Sequence, residues 1–205
     1  MEAPAGVRTV TVAAGRLERW LAGFAERHGD TETVASPTVV ALTGADGARA
    51  WIDVPFAPLT GSLVEHVTRA RRIGVVLVRR GGHAAGLFEG ERLVASKVGS
   101  SYVQGTTKAG GWSQQRYARR RANQSSAAFA DAADAVARVL GSVTDLDAVV
   151  AGGDRPAVKA VLADPRLTRL EPLLTDPWLN VKDPKLRVLE TMPEQFRVAR
   201  ISLVP

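Results

Sequence analysis

A run of β-branched and aliphatic residues near the middle of the chain predicts that this region forms a sheet. We predict a strand from Ile73 to Val78, because β-branched side chains pack well on a pleated surface. Gly81-Gly82 then predicts a turn, and Ala84 to Phe88 a second strand. After another turn at Glu89-Gly90, Arg92 to Val98 predicts a third strand. The three neighbouring strands together predict a meander.

The segment after the meander predicts an irregular loop that runs into a long helix. Gly99 to Lys108 is rich in Gly, Ser and Thr and has no apolar periodicity. The Gly110-Gly111 pair allows backbone angles that residues with a Cβ avoid. Ser113 can cap a helix through its hydroxyl, so we predict a helix from just after Ser113 to about Leu140. Its buried stripe is expected at helical spacing, on Ala118, Ala122, Ser125 or Ser126, Phe129, Ala133, Val136 and Leu140.

The remainder of the chain alternates strands and helices. After the long helix we predict a buried strand from Leu146 to Ala151 and a helix over residues 155–163 that Asp154 can cap. Three shorter elements are expected beyond them: a strand or turn at 167–174 and strands at Leu186–Leu189 and Phe196–Val204. Meander, helix, strand, helix and strand follow each other as in a ribonuclease-H-like domain. We therefore predict an α/β (α+β) protein with a mixed sheet and flanking helices.

The first third of the chain predicts a small α+β region. A strand at 7–12 and an amphipathic helix at 16–28 come first, and a hairpin with arms at 39–42 and 48–54 follows. A further helix of residues 63–72 is expected, with Ser62 as its cap. We assign residues 1–60 to this region, either as a separate domain or packed on the rest, and residues 61–205 to a larger domain.

Charge is concentrated in one part of the chain. Residues 92–130 contain no Asp or Glu, although the chain has 21 acids. The same window holds seven of the 27 basic residues: Arg92, Lys97, Lys108, Arg116, Arg119, Arg120 and Arg121. A helix start with free N–H groups, preceded by a glycine pair and followed by arginines, favours phosphate or a developing oxyanion. The alternative is a surface loop that leads into a solvated basic helix, as most charge runs do.

Several classes of site are disfavoured by the residues present. The absence of Cys excludes disulfides, cysteine-based metal sites and thiol nucleophiles. His28, His66 and His83 lie on different elements without ligand spacing, so we expect no metal and treat each as a surface or capping residue. Asp145, Asp147 and Asp154 form no recognisable pair of catalytic carboxylates. No Gly-x-Ser-x-Gly elbow of a serine hydrolase is present.

Targeting and membrane signals are not evident in the sequence. No apolar run approaches the roughly 18 residues that a membrane-spanning helix requires. The N-terminus, MEAPAGVRTV, lacks the basic start and apolar run of a signal peptide. We therefore expect a cytoplasmic protein that has no membrane partner.

The loop resembles a known catalytic motif. Gly110-Gly111-Trp112-Ser113-Gln114 is similar to the Gly-Gly-Gln loop of the class-one peptide release factors of eukaryotes and archaea. It resembles more closely the Gly-Gly-Ser-Gln type of loop in the Vms-like release factors, which free stalled nascent chains from tRNA. The resemblance covers about residues 72–175, through the order of the elements as well as the loop. Trp112 is an insertion relative to that pattern, so the key glutamine is either Gln114 or Gln115.

This resemblance implies a peptidyl-tRNA hydrolase that acts on the ribosome without reading a codon and without a cofactor. Gln114 would position the attacking water and Gln115 is the second choice, while Gly110, Gly111 and Ser113 shape the loop. The expected RNA-binding residues are Lys108, Trp112, Arg116, Arg119, Arg120 and Arg121. For Trp112 the alternatives are stacking on a nucleotide and packing on its own domain.

The expected partners are the large ribosomal subunit and peptidyl-tRNA, and the sequence leaves the oligomeric state open. Two other functions remain open beside the hydrolase. One is a nuclease that cuts the tRNA 3′ end, and the other is a non-catalytic module that binds RNA or the ribosome.

Overall fold

The computed structural model describes residues 8–100 and 113–204, with side chains described for 8–100 and 126–204. The chain forms two compact units, one of Met1–Arg69 with Glu194–Pro205 and one of Ala70–Pro193. In chain order the described elements are β1 (Arg8–Ala13), α1 (Leu17–His28), β2 (Thr31–Ala35), β3 (Val39–Gly44), β4 (Arg49–Asp53), α2 (Leu63–Thr68), β5 (Arg72–Arg79), β6 (Gly82–Glu89), β7 (Arg92–Ser100), α3 (Ser113–Leu140), β8 (Ala148–Gly153), α4 (Arg155–Leu162), β9 (Leu174–Leu179), α5 (Leu186–Glu190), α6 (Pro193–Phe196) and β10 (Val198–Val204), with 3₁₀ turns at Ala14–Arg16 and Thr168–Leu173.

The first unit is built on an antiparallel sheet with the strand order β1-β10-β4-β3-β2. Alternate residues of β3 are buried, as the period of a strand with one covered face requires. The buried cluster joins strand residues such as Leu42 and Ile52 to Leu17 and Phe24 of α1. α2 begins with a capping box, because the Ser62 hydroxyl accepts from the Glu65 N–H while the Glu65 carboxylate accepts from the Ser62 N–H.

The second unit is built on a mixed sheet with the strand order β7-β6-β5-β8-β9. β5, β6 and β7 are antiparallel neighbours, whereas β8 runs parallel to β5 and β9 runs parallel to β8. The predicted meander and the mixed sheet with flanking helices are therefore confirmed. Residues 73–78 of β5 are all buried, because β5 is a central strand with both faces covered.

Helix α3 packs on this sheet through its carboxyl-terminal half. Its buried side chains are Ala132, Ala133, Ala135, Val136, Val139 and Leu140. A Cβ added to Gly74 would lie 2.9 Å from Cδ1 of Leu140, so glycine at this position lets the helix end approach β5 closely. The Arg169 guanidinium donates to the carbonyl oxygens of Leu140 and Val143 and so satisfies acceptors that the helix end leaves free. The expected helix limit is confirmed, and so is the stripe from Phe129 onward, whereas Ser126 is exposed.

Two features differ from the expectations. The predicted strand at Leu186–Leu189 is wrong, because these residues belong to helix α5. Leu189 is fully buried, and its Cδ1 lies 3.0 Å from the Cβ position of Gly86, so this packing decides the conformation of an apolar run too short to specify one. Strand β2 was not expected, because it pairs at the sheet edge and four of its five residues are exposed. Of the two alternatives left open at 167–174, the turn is confirmed, because Thr168–Leu173 forms a 3₁₀ turn that leads into β9.

The chain divides after Arg69, whereas the sequence analysis divided it after residue 60. It also returns to the first unit at its end, because β10 pairs with β1 on one side and β4 on the other. Among the described residues, no helix has the length and apolar composition to cross a bilayer.

The packing of α3 on β5 yields a stability prediction. Replacing Leu140, which is fully buried, with Ala is expected to lower the free energy of unfolding by about 2–5 kcal/mol, because it leaves a cavity against Gly74. Arg138→Ala, on an exposed face of the same turn, is the control and should change it by about 0.5 kcal/mol or less. Chemical denaturation measures both, and equal effects would contradict the described packing.

Candidate functional site

One edge of the second sheet collects the ends of four strands. β7 and β5 are both antiparallel to β6, and β8 and β9 run parallel to β5, so all four strands point the same way. We call the edge where they end, at Arg79, Ser100, Gly153 and Leu179, the carboxyl edge. Ligands of open α/β sheets bind outside the carboxyl ends of parallel strands. Residues 101–112, which hold most of the predicted loop, follow directly from Ser100 at this edge.

Helix α3 packs on the sheet through the residues from Ala132 onward, whereas Ser126 and Ala127 are exposed. Because a helix rises 1.5 Å per residue, Ser113 lies about 22 Å along the axis from Ala128, the first partly covered residue among those whose side chains are described.

The predicted site residues fall on both sides of the start of this helix. Lys108, Gly110, Gly111 and Trp112 lie outside the described residues. The helix begins at Ser113 itself, one residue earlier than expected. Its first turns include the remaining predicted residues, whose side chains also lie outside the described part: Gln114, Gln115, Arg116, Arg119, Arg120 and Arg121. Their proposed roles remain predictions.

The backbone at the helix start has a chemical property of its own. The first four N–H groups of an α-helix have no carbonyl partner within the helix, and the helix dipole adds partial positive charge there. Gln114 is the second residue of α3, so its backbone N–H belongs to this group. Such N–H groups stabilise an anion or a developing oxyanion.

Gly99 is tightly packed near the end of β7, the strand that precedes residues 101–112. A Cβ added to Gly99 would collide with the imidazole of His83, at 2.5 Å from its Cε1. A Cβ added to Gly82 would lie 2.8 Å from the carbonyl oxygen of Gly99. His83 and Gly99 are direct partners in the β6–β7 pairing, so two glycines and one ring hold the strand from which residues 101–112 leave.

His83 is buried, which corrects the expectation of a surface or capping residue. Burial lowers the pKa of His83, the nearby Lys97 charge lowers it further, and Asp131 opposes the shift. The ring is therefore neutral at pH 7 and packs as an uncharged group.

The other two histidines also have structural surroundings. His66 is buried, its Nε2 lies 2.9 Å from the Pro55 carbonyl oxygen, and its Nδ1 accepts from the Thr60 N–H at 3.1 Å. His28 pairs with Asp46 at 2.8 Å, as a residue near the surface can. Within residues 8–100 and 126–204, no group of three His, Asp or Glu side chains is arranged to hold a metal ion.

Two of the acids noted in the sequence lie at the opposite edge of the sheet. Asp145 pairs with the Arg72 guanidinium at 2.6 Å, and Asp147 accepts from the Arg72 backbone N–H at 2.6 Å. Arg72 is the first residue of β5, so these carboxylates hold the amino end of the strand rather than the carboxyl edge. Arg79 and Arg155, in contrast, lie at the carboxyl edge, and neither belongs to a contiguous motif that would mark it in the sequence.

The mixed sheet with its flanking helices and the glycine-glutamine sequence that follows its carboxyl edge agree with the resemblance to the release factors. The family model for the Actinobacteria/chloroflexi VLRF1 release factor (acVLRF1) matches residues 71–202, well over half of the chain. The chain belongs to this family, as the loop had indicated.

Solved structures with a similar fold include an archaeal translation termination factor. The crystal structure of this factor, aRF1, has a TM-score of 0.44 and 15% identity and covers 91% of this chain. A second structure, described as an archaeal protein, has a TM-score of 0.40 and 17% identity and covers 76% of this chain. The chain spans 64% and 52% of the lengths of these two proteins. No curated protein matches the chain in sequence.

The packing of Gly99 against His83 can be tested by a double-mutant cycle. Gly99→Ala is expected to lower the free energy of unfolding by about 1–3 kcal/mol, because the new methyl group overpacks the buried ring. In a His83→Ala background the same substitution should cost clearly less, since the ring that it meets is gone. Denaturant unfolding of the four proteins gives the coupling free energy. Additive effects would show that the ring and Gly99 are not in contact.

Proposed function

We propose that this protein is a peptidyl-tRNA hydrolase that frees stalled nascent chains from tRNA on the large ribosomal subunit. It acts in the cytoplasm without recognising a codon. The observation that carries the proposal is the Gly110-Gly111-Trp112-Ser113-Gln114 sequence at the start of α3 in a member of a release-factor family. This sequence follows the carboxyl edge of the sheet, where the fold class binds its ligands.

The reaction requires water to attack the ester carbonyl that joins the peptide to the tRNA 3′ end. Its barrier falls when the water is held in place, the carbonyl oxygen meets donors as it becomes negative, and bulk solvent is excluded. None of these contributions needs a side chain that titrates near pH 7. A glutamine and a set of backbone N–H groups are therefore the kinds of group that can position the water and donate to the oxyanion.

The helix start supports this chemistry. The backbone N–H of Gln114 lacks an intrahelical partner and can donate to the oxyanion, while its side-chain amide orients the water. Gly110 and Gly111 give the preceding backbone the freedom to approach the ester. Ser113 is the first residue of the helix and Gln115 the third.

Arginines of the first helical turns bind the RNA. Arg116, Arg119, Arg120 and Arg121 follow the glutamines within an acid-free window, so no carboxylate within that window competes with phosphate for them. Guanidinium groups bind phosphate oxygens through paired N–H donors. Lys108 adds a further cation in the loop, and Trp112 supplies a surface on which a base can stack.

The central test is peptide release from stalled ribosome–nascent-chain complexes, followed through the peptidyl-tRNA band. Gln114→Ala is expected to slow release. The loss on removing one oxyanion donor, about 10²–10³-fold, is the upper limit of the effect, because the backbone N–H of residue 114 survives the substitution. Binding should remain nearly intact, since the arginines hold the phosphates.

Gln115→Ala is the matched control and should have the smaller effect. The reverse order would move the catalytic role to Gln115, and full activity of both variants would contradict the hydrolase. Product analysis separates the nuclease alternative, because ester hydrolysis leaves an intact deacylated tRNA whereas a nuclease shortens its 3′ end.

A second prediction concerns the salt dependence of binding. Affinity for tRNA should fall steeply with salt, because each neutralised phosphate releases bound counterions. Replacing Arg119, Arg120 and Arg121 together with Ala should weaken binding and flatten the slope of log K against log salt by roughly 0.7–0.9 for each phosphate that the variant no longer neutralises. Equilibrium binding over a salt series measures the slope. An unchanged slope would remove these arginines from the RNA interface.

A further inference from the structure

A compact group of side chains lies at the carboxyl edge, and none of its members belongs to the predicted loop or to α3. Arg79 ends β5, Gly153 ends β8, Trp178 lies in β9 and Arg155 begins α4. We call Arg79, Trp178 and Arg155 the Trp178 cluster. We propose that this cluster is a second RNA-binding point, where the two arginines contact the phosphate backbone and an unpaired base stacks on the guanidinium plane of Arg155.

The contacts of Trp178 make a rigid platform. Its Nε1–H donates to the Gly153 carbonyl oxygen at 3.1 Å, and its half-buried ring packs against the core of the second unit. The guanidinium carbon of Arg155 lies 4.3 Å from the ring centroid, within the range of a cation–π interaction. Arg155 is exposed, so its guanidinium group, held beside the ring, remains accessible to solvent. A guanidinium plane held in this way is a surface on which RNA bases stack.

Arg79 joins the cluster through Gly153. Val78 and Gly153 are partners in the parallel pairing of β5 and β8. A Cβ added to Gly153 would lie 3.0 Å from Cδ of Arg79, so the aliphatic part of Arg79 passes over this glycine. Gly153 also has a φ of +90°, a conformation that favours glycine. Gly153 therefore lies beside the Arg79 side chain and accepts from Trp178 through its carbonyl oxygen, so that Arg79 and the Trp178–Arg155 pair are neighbours.

The charges of this cluster are not neutralised by neighbouring acids. Over the described ranges 8–100 and 126–204, neither Arg79 nor Arg155 forms an ion pair, whereas Arg72 and Arg166 do. Asp154, the nearest acid in sequence, is exposed and makes no side-chain hydrogen bond to the start of α4. Two guanidinium groups, one on an aromatic ring and both without a carboxylate partner, suit phosphate and a base together.

The position of the cluster favours RNA as its ligand. Gly82 pairs with both Arg79 and Ser100, so the cluster lies along the same edge from which residues 101–112 depart. This inference rests on the proposed function for the identity of the partner. The RNA could be the tRNA or the ribosomal RNA, which share the same chemistry of phosphates and unpaired bases.

The test compares variants of the cluster in RNA binding over a salt series, with deacylated tRNA and isolated large ribosomal subunits as separate probes. Arg155→Lys keeps the charge but removes the planar surface, so it should weaken binding by roughly tenfold with an unchanged salt slope. Arg79→Ala should instead reduce the salt slope by about one. The control is Lys159→Ala, which removes an exposed cation one turn further along α4 and should bind like the wild type.

The probe on which these effects appear identifies the RNA that the cluster contacts. Wild-type affinity and slope for Arg155→Lys and Arg79→Ala on both probes would overturn the inference. Both substitutions are at exposed side chains, and unchanged melting temperatures establish that the variants fold.

Peptide release by the same wild-type preparation separates this inference from the proposed function. Release with normal RNA binding by both cluster variants would refute the second binding point and leave the hydrolase intact. Weakened RNA binding by the variants, together with no release by the wild type, would refute the hydrolase and leave the binding point intact.

Discussion

The larger unit depends on the pairing of β5 with a strand on each side. β5 is bonded to β6 in antiparallel and to β8 in parallel register, so its backbone polar groups have partners on both sides. Both of its faces are covered, and a polar side chain there would lose its hydration without gaining a partner. Residues 73–78 are accordingly apolar or glycine, and the strand has charged residues only at its ends, Arg72 and Arg79. Chemistry in this unit is therefore confined to the two edges of the sheet.

The two ends of β5 differ in how their charge is balanced. At the amino end, Arg72 lies between Glu89 and Asp145 and its N–H binds Asp147, so the cation serves to hold three segments together. At the carboxyl end, Arg79 crosses Gly153 and, among the described residues, forms no ion pair. A cation without a carboxylate partner retains more capacity to bind an external anion. This difference in pairing, rather than the number of arginines, directs an anionic partner to the carboxyl edge.

The carboxyl-terminal half of helix α3 packs on the sheet, and its amino-terminal half contains the predicted functional residues. The acid-free window ends at Ala130, and the buried stripe of the described residues begins at Ala132. In the packed half, small alanine side chains allow the helix to approach the sheet, and Leu140 fills the space above Gly74. The residues before Ala130 belong to the acid-free window, a composition suited to RNA. A single helix thus links a rigid core to the predicted catalytic residues at its start.

Local sequence patterns were enough to predict much of the secondary structure of this protein. The meander and the long helix were predictable because each is contiguous and its periodicity is clear within a few residues. The positions of Gln114 and Gln115 at a helix start followed from the glycine pair and Ser113. Their side-chain roles depend on a substrate that the sequence does not describe, and they stay predictions.

Tertiary structure decided the features that join distant parts of the chain. β10 belongs to the first unit because it pairs with β1 and β4, and nothing in its own seven residues specifies those partners. Leu186–Glu190 is helical because Leu189 packs against Gly86, although its apolar run equally suits a strand. The Trp178 cluster assembles only when β5, β8 and β9 pair in parallel. Such contacts join residues that are far apart in sequence, so local propensity does not encode them and the pairing of the whole sheet does.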